Sequence, residues 1–505
     1  MTVESGVTAT GEKRSDDAPA GEALGRQAGR GLRWSLLGTM AVKLGSFAMG
    51  LVLARLLVPE DFGMYAIALA ATQFVMHIKD VGLIAATVQW RGRLEDMAPT
   101  ATTMAFLFSI AIYAVFFTAA PWYTTLAHSP EATPIVRILT AIILIEGVTA
   151  VRVAALLRTF RQGTLTVANL AGLAVNAAVA IAMAADGAGA YSFVVGQLAG
   201  WIVTGVIVMA AVRMPFRFGF SRPIARQLMR FGVPLAASLG VEAFLMNADY
   251  VIVGHALGTV AVGYYLLAFN VSSWAQGIIG TAVRYVSVPV FSRLSEGGQR
   301  ELSDGVNKSV PLLVTILIPI AVLASALASP LVIFLYGHEW APAVAALRFL
   351  MILTVVRILT SFALDILTGA GATKSALWAN LGWAIALIPA LWVSTYAGGI
   401  RGTAIGHAVV GVVVAMPLFG FALHRVGVRL STMVLPILRP VIGGLVAGIV
   451  AWVASHHTSH NSLLELAVGG SLGLIAYVVV ALTPVQWRSL LGRFRRREAT
   501  DVAVG

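Results

Sequence analysis

Cysteine is absent from the 505 residues of this chain, and only 11% of the residues are charged. Without cysteine there are no disulfides, no thiolate metal sites and no cysteine nucleophile. The sequence also lacks a Gly-x-x-x-x-Gly-Lys-Ser/Thr phosphate loop and a His-Glu-x-x-His helix. We therefore expect a protein that is not an enzyme, with no catalytic residue, no metal site and no cofactor.

Apolar residues dominate the sequence: hydrophobic residues make up 58% of the chain, and the mean hydropathy is +0.85. A soluble globule of this composition would expose a very large apolar surface, so lipid must be its main solvent. Only helices and closed barrels satisfy their backbone polar groups in hydrocarbon, and the apolar runs lack the period-two alternation of barrel strands. The predicted fold class is an all-α integral membrane protein.

Runs of about twenty apolar residues predict fourteen transmembrane helices. The first six are predicted at 34–57, 63–88, 100–120, 134–157, 164–184 and 189–212. The next six are predicted at 231–257, 261–288, 309–329, 342–368, 375–396 and 400–423. Two further helices are predicted at 433–455 and 462–483, so the chain divides into groups of six, six and two helices.

Lysine and arginine are concentrated in alternate loops between these helices. The clusters include Arg91 and Arg93, Arg158 and Arg161, Arg213 to Arg230, Arg293 to Lys308, Arg425 and Arg429, and Arg488 to Arg497. Because translocation of such residues is disfavoured, we place these loops and both termini in the cytoplasm. The net charge of +12 follows from this topology and from attraction to anionic lipid, so we expect no nucleic-acid partner.

The predicted domain organisation follows from the span groups and the flanking charge. It comprises a disordered cytoplasmic tail at 1–30, a six-helix lobe at 31–212, a basic cytoplasmic linker at 213–230, a second six-helix lobe at 231–424, helices thirteen and fourteen at 425–483, and a basic cytoplasmic tail at 484–505.

A short internal repeat links the two predicted lobes. Its four identities are Leu57, Gly63, Tyr65 and Ala68, which recur as Leu257, Gly263, Tyr265 and Ala268. Both copies join the first to the second helix of a lobe, so the lobes have parallel topology and a pseudo-twofold axis along the membrane normal. We interpret the glycines as parts of a tight loop and the tyrosines as interfacial anchors.

Two opposite charges occupy nearly equivalent positions of the repeat. Lys43 in the first span and Glu242 in the seventh lie about 14–17 Å deep at 1.5 Å per residue, close to the bilayer midplane. We hypothesise that they pair across the interface between the lobes in one conformation only. The alternative is that each is a separately hydrated residue of the cavity.

Other charges also fall within the predicted spans, where each is a functional candidate because burial in a bilayer costs a few kcal/mol. Lys79, Arg152 and Arg284 lie in the cytoplasmic halves of their spans, and Arg357 lies deeper. Together with Lys43 these cations are candidates to bind a phosphate-bearing headgroup. Snorkelling to the inner surface is the competing interpretation, most of all for Arg284.

Three acidic residues in the spans are candidates to bind a coupling proton or cation, or to lie at the lobe interface with Glu242. They are Glu146 near the midplane, and Asp249 and Asp365 nearer the ends of their spans. Hydrogen bonding between helices is an equally good explanation for them.

Two groups of motifs resemble bacterial polysaccharide transporters of the lipid-linked oligosaccharide flippase type. The first runs from Ala54 to Tyr65 (ARLLVPEDFGMY) and is followed by Asp80-Val-Gly-Leu. The second comprises Asn247 to Gly254 (NADYVIVG), Gly263 to Tyr265, Val288 to Ser292 and Leu335 to Gly337. These transporters belong to the multidrug/oligosaccharidyl-lipid/polysaccharide exporter superfamily.

The resemblance implies two six-helix lobes around a V-shaped cavity, in the bacterial inner membrane. It implies translocation of an undecaprenyl-diphosphate-linked oligosaccharide for a surface polysaccharide, with the lipid bilayer, a polymerase and glycosyltransferases as partners. Two alternatives are a cation-coupled multidrug exporter of the same superfamily and a non-transporting membrane scaffold. The buried lysines and arginines argue against the exporter, which would need an acidic cavity for cationic drugs.

Overall fold

The computed structural model describes residues 38–79, 94–159, 161–214, 217–458 and 461–481. Every regular element in these ranges is helical, which confirms the all-α fold class. The first half of the chain forms α1 Gly38–Leu56, α2 Pro59–Lys79, α3 Leu94–Leu126, α4 Thr133–Thr140, α5 Ile142–Arg158, α6 Gln162–Ala185 and α7 Tyr191–Ala211. The second half forms α8 Arg222–Leu257, α9 Thr259–Glu296, α10 Gln299–Ala326, α11 Ala328–Tyr336, α12 Val344–Gly369, α13 Thr373–Val410, α14 Met416–Arg425, α15 Val434–His456 and α16 Ser462–Ala481.

Ten helical stretches in the described ranges are long and apolar enough to cross a membrane. Helices α2, α8 and α9 contain 21, 36 and 38 residues and are also of spanning length, but they are more polar. The chain is therefore a multi-pass membrane protein. The count of fourteen spans stays a prediction, and the predicted tails at 1–30 and 484–505 lie outside the described residues.

Several helices extend beyond the apolar runs that predict them. Helix α8 begins at Arg222, ahead of the predicted start at residue 231, and α9 continues to Glu296, past the predicted end at residue 288. An apolar run marks only the part of a helix that lies in hydrocarbon, whereas the backbone hydrogen bonds continue into the polar region. The predicted basic linker 213–230 therefore includes the first turns of α8.

A backbone break separates the predicted spans 375–396 and 400–423. Within α13, Gly398 and Gly399 have non-helical dihedral angles, and Gly399 has a φ of 60° with a ψ of −149°. An L-residue with a side chain rarely adopts that conformation, so glycine is what allows the chain to turn between the two helical stretches. The predicted gap at 397–399 coincides with this break.

The repeat glycines lie inside helices, so the interpretation of Gly63 and Gly263 as loop residues is wrong. Both occur in the second turn of their helices, α2 and α9, where these helices cross at closest approach. A Cβ added at Gly63 would collide with the carbonyl oxygen of Thr259, and one added at Gly263 would collide with that of Pro59. The contact is reciprocal, as expected of two equivalent repeats related by a twofold axis.

The repeat tyrosines are not interfacial anchors either, because both hydroxyls make hydrogen bonds inside the helix bundle. The Tyr65 hydroxyl donates to Gln197 Oε1 of α7 at 2.9 Å, and the ring stacks on Phe193. The Tyr265 hydroxyl donates to Asp249 Oδ2 of α8 at 3.0 Å. A buried tyrosine needs such a partner for its hydroxyl, which explains the inward orientation.

Replacing Gly63 or Gly263 with alanine is expected to destabilise the protein by about 1–3 kcal/mol, the usual cost of overpacking. The obstacle is a backbone carbonyl, which cannot move aside as a flexible side chain would. The matched control is Gly50→Ala in α1, where an added Cβ meets no atom within 4 Å. Thermal unfolding of the purified variants in detergent measures the effect, and equal stability of all three variants would contradict the close crossing.

The two halves of the chain also meet directly at the end of the bundle opposite the basic loops, which we call the far end. Arg55 donates through Nη2 to the carbonyl oxygen of Phe334 at 2.8 Å and through Nε to that of Leu335 at 3.2 Å. Trp340 donates through Nε1 to the Ala54 carbonyl at 2.9 Å, and its indole is fully buried. These contacts close the far end between the two halves.

Two histidines form a second, reciprocal contact at the far end. His128 Nδ1 lies 2.7 Å from the carbonyl oxygen of His255, and His255 Nδ1 lies 2.8 Å from that of Leu126. Their rings stack at 4.6 Å. Because carbonyl oxygens only accept, both imidazoles donate from Nδ1.

Candidate functional site

A fully buried carboxylate lies in the second half of the chain. Asp249 of α8 has no exposed surface. It accepts hydrogen bonds from the Tyr265 hydroxyl and from the Tyr250 backbone N–H, each at 3.0 Å. His407 of α13, itself 2% exposed, places Nδ1 4.0 Å from Asp249 Oδ2. A fully buried carboxylate is costly, and the two hydrogen bonds from α8 and α9 fix it in position.

Arg357 of α12 completes this group. It lies near enough to Asp249 for their opposite charges to attract one another. Its guanidinium also sits over the ring of Phe269, 4.9 Å from the centroid. This attraction offsets part of the desolvation cost of both charges. We call Asp249, Tyr265, Arg357 and His407 the buried ion-pair site.

The predicted site residues Asp249 and Arg357 are thus brought together, whereas Tyr265 and His407 are members of the site that the sequence does not single out as such. Tyr265 belongs to the internal repeat, which is the sequence feature that could have identified it as a site residue. His407 stands alone in an apolar stretch of α13, and no spacing in the sequence connects it with Asp249.

Two of the other predicted cations, Lys43 and Arg152, contact residues outside this site. Lys43 reaches from α1 to α9, where its Nζ would lie 2.7 Å from a Cβ added at Gly277. Arg152 of α5 is 4% exposed and donates through Nη2 to the carbonyl oxygen of Met214 at 2.7 Å. The side chains of Lys79, Arg284 and Glu242 lie outside the described part of the structure.

The remaining acidic candidates also occupy separate places. Asp365 is buried and accepts a hydrogen bond from Ser287 Oγ at 2.8 Å. It lies two helical turns beyond Arg357 on α12, about 12 Å along the axis. Glu146 is half-buried on α5, in the first half of the chain. Of the three acidic candidates, only Asp249 therefore lies beside a predicted cation, Arg357, among the residues that the structure describes.

A large apolar cavity lies in the second half of the chain, between α10, α12, α14 and α15. Its volume is about 640 Å³. Its walls include Val314, Ile318, Val356, Phe362, Phe419 and Ile437. Leu430 and Met433 line the part that approaches the basic end of the bundle. The lining suits a hydrocarbon chain rather than a polar solute.

Solved structures of two kinds share this arrangement of helices. "Lipid II flippase MurJ, inward closed conformation" is 14% identical in sequence with a TM-score of 0.74, over 90% of this chain and 100% of that one. An inward-facing multidrug resistance MATE family transporter of the MOP superfamily is 17% identical with a TM-score of 0.57, over 77% and 98% of the two chains. The fold is that of these membrane transporters.

The sequence comparisons identify the family. The polysaccharide biosynthesis protein family matches residues 52–345, more than half of the chain, and the chain belongs to it. The succinoglycan biosynthesis transport protein ExoT of Rhizobium meliloti (strain 1021) is 27% identical over 399 residues, 78% of this chain and 79% of the relative. The teichuronic acid biosynthesis protein TuaB of Bacillus subtilis (strain 168) is 21% identical over 388 residues, 76% and 80% of the two chains.

Proposed function

We propose that this protein is a flippase that moves an undecaprenyl-diphosphate-linked oligosaccharide from the cytoplasmic to the outer leaflet of a bacterial inner membrane. The oligosaccharide serves the synthesis of a surface polysaccharide such as an exopolysaccharide, O-antigen or capsule. Both termini lie in the cytoplasm. The observation that carries the proposal is the combination of membership in the polysaccharide biosynthesis protein family with the fold of a lipid II flippase.

Translocation proceeds by alternating access between two six-helix lobes, residues 31–212 and 231–424. The reciprocal crossing of α2 and α9 supports this motion, because a pair of equivalent helices at a twofold axis is a natural pivot. The contacts at the far end correspond to a state closed toward the outside. Opening of that end and closing of the basic end carry the headgroup across.

The substrate's two chemically different parts take separate places. Lys43, Lys79, Arg152 and Arg284 are the candidate ligands of the diphosphate, because cations offset the cost of carrying that charge past hydrocarbon. Part of the polyprenyl tail lies in the apolar cavity between α10, α12, α14 and α15, whose lining is almost wholly apolar. The tail thereby stays in an apolar environment throughout.

The buried ion-pair site is the candidate for energy coupling. A proton or cation that binds Asp249 would compete with Arg357 for the carboxylate and so change how α8, α12 and α13 are held together. Glu146, Glu242 and Asp365 are further candidates for coupling or for lobe contacts. A polymerase and glycosyltransferases are the expected partner enzymes.

Deletion of the gene in its native host tests the function. The expected result is accumulation of the lipid-linked oligosaccharide in the inner leaflet, together with loss of the surface polysaccharide. Complementation with the intact gene restores both. Increased drug sensitivity with a normal polysaccharide would instead indicate a multidrug exporter. Normal drug sensitivity together with a normal polysaccharide would indicate a scaffold.

A further inference from the structure

A second, uncharged cavity lies among first-half helices, away from the buried ion-pair site. Its volume is about 310 Å³, at the lower end of the range of small-molecule pockets. Its polar and aromatic lining consists of Ser46 on α1, Asn169 and Asn176 on α6, and Gln197, Trp201 and Thr204 on α7. We call these six residues the amide pocket.

The amides of this pocket are accessible, since Asn169 is exposed and Asn176 is half-buried. Asn176 is the fifteenth residue of α6, which has 24 residues, so it lies about 21 Å from one end of the helix and 14 Å from the other. Neither Asn169 nor Asn176 makes a side-chain hydrogen bond to any residue that the structure describes. The hydrogen-bonding groups of these two amides are therefore free to bind another molecule.

The floor of the pocket is rigid backbone. Helices α6 and α7 meet at Gly172 and Gly200, where a Cβ added at Gly200 would lie 2.6 Å from the Gly172 carbonyl oxygen and 3.0 Å from Asn176 Cβ. Gln197 is fixed by its hydrogen bond from Tyr65. The amides are therefore presented from a preorganised surface, as a binding site requires.

The chemistry of the pocket favours a sugar over an ion. No carboxylate, lysine or arginine is among its lining residues, whereas a cation site would need carboxylates and a phosphate site would need cations. Each amide both donates and accepts hydrogen bonds, as each hydroxyl of a sugar also does. Trp201 adds a flat apolar face and an indole N–H to the same cavity.

The pocket also adjoins a candidate ligand of the diphosphate. Ser46 follows Lys43 by three residues on α1, so the two share one side of that helix. From the geometry we infer that the amide pocket binds a sugar residue of the transported oligosaccharide, an inference that rests on the proposed function.

Comparing the binding of two lipids tests whether the amide pocket recognises the sugar. The probes are the lipid-linked oligosaccharide extracted from the deletion strain and undecaprenyl diphosphate without sugar, each titrated into the purified protein in nanodiscs. Asn176→Leu is expected to weaken binding of the sugar-bearing lipid about tenfold, the effect of losing one or two hydrogen bonds. The affinity for the sugar-free lipid should stay within about twofold.

Three further variants make the result specific. Trp201→Leu should show the same selective loss, and Asn176→Gln, which keeps the amide, should lose less than Asn176→Leu. The matched control is Asn380→Leu on α13, an amide of a spanning helix outside the pocket. Retained affinity for the sugar-free lipid shows that each variant is folded.

Two outcomes would overturn the inference. If Asn176→Leu and Trp201→Leu bind both lipids as the unmodified protein does, the pocket holds only water. If they weaken both lipids equally, the pocket acts through the structure and not on the sugar. Failure of the proposed function is distinguishable, because the unmodified protein would then show no preference for the sugar-bearing lipid.

Discussion

A disulfide between cysteines introduced at Ala127 and Gly254 is expected to abolish transport, and reduction is expected to restore it. Ala127 follows α3 in the first half of the chain, and Gly254 lies near the end of α8 in the second. A Cβ added at Gly254 would lie 3.6 Å from Ala127 Cβ, inside the range of about 3.5–4.5 Å that disulfides require. The chain contains no native cysteine to interfere.

The crosslink should abolish transport because the far end has to open during the transport cycle. The far end is closed by the reciprocal contact of His128 with His255 and by the hydrogen bonds of Arg55. These noncovalent contacts can exchange for water and substrate during a cycle, whereas a covalent bond cannot. Alternating access therefore predicts complete loss of transport in the crosslinked fraction.

Transport is measured as polysaccharide yield in the complemented deletion strain, before and after treatment with a membrane-permeant reductant. Each single cysteine variant controls for the substitution itself. A second cysteine pair at Ser455 and Gly469 controls for crosslinking, because a Cβ at Gly469 would lie 3.4 Å from Ser455 Cβ, at the short edge of that range and within the α15–α16 pair. Undiminished transport by the fully crosslinked Ala127/Gly254 variant would rule out opening at the far end.

The fold was largely predictable because its main signal is local. A run of apolar residues long enough to span a bilayer specifies a helix without reference to its neighbours. An apolar run could not locate the start of α8 at Arg222, because a helix can continue through polar residues outside the hydrocarbon core. Nor could it reveal the crossing at Gly63 and Gly263, which depends on contact between helices far apart in sequence.

The candidate site was only partly predictable for the same reason. Asp249 and Arg357 stand out in the sequence, because a charge within an apolar run is rare and costly. Their partner His407 becomes recognisable only when α8, α12 and α13 are packed together. The amide pocket gave no signal, since single asparagines in spanning helices are uncharged and have no characteristic spacing.

Neutralising the buried ion pair one charge at a time is expected to be more damaging than neutralising both. Asp249→Asn removes the buried negative charge that attracts Arg357 and should cost about 3 kcal/mol, the lower end of the range for breaking a buried pair, because Arg357 is half-buried. Arg357→Gln should cost a similar amount. The double variant leaves no charge of the pair and should recover most of the lost stability.

Transport separates the structural role of the pair from coupling. If Asp249 binds the coupling ion, the double variant should be nearly as stable as the unmodified protein and still fail to move the lipid-linked oligosaccharide. The control is Asp304→Asn on the exposed surface of α10, which removes an equal charge without a buried partner. Thermal unfolding in detergent and polysaccharide yield in the deletion strain are measured on all four variants. A double variant that transports normally would show that the pair only holds α8 and α12 together, and coupling would then have to reside on Glu146, Glu242 or Asp365.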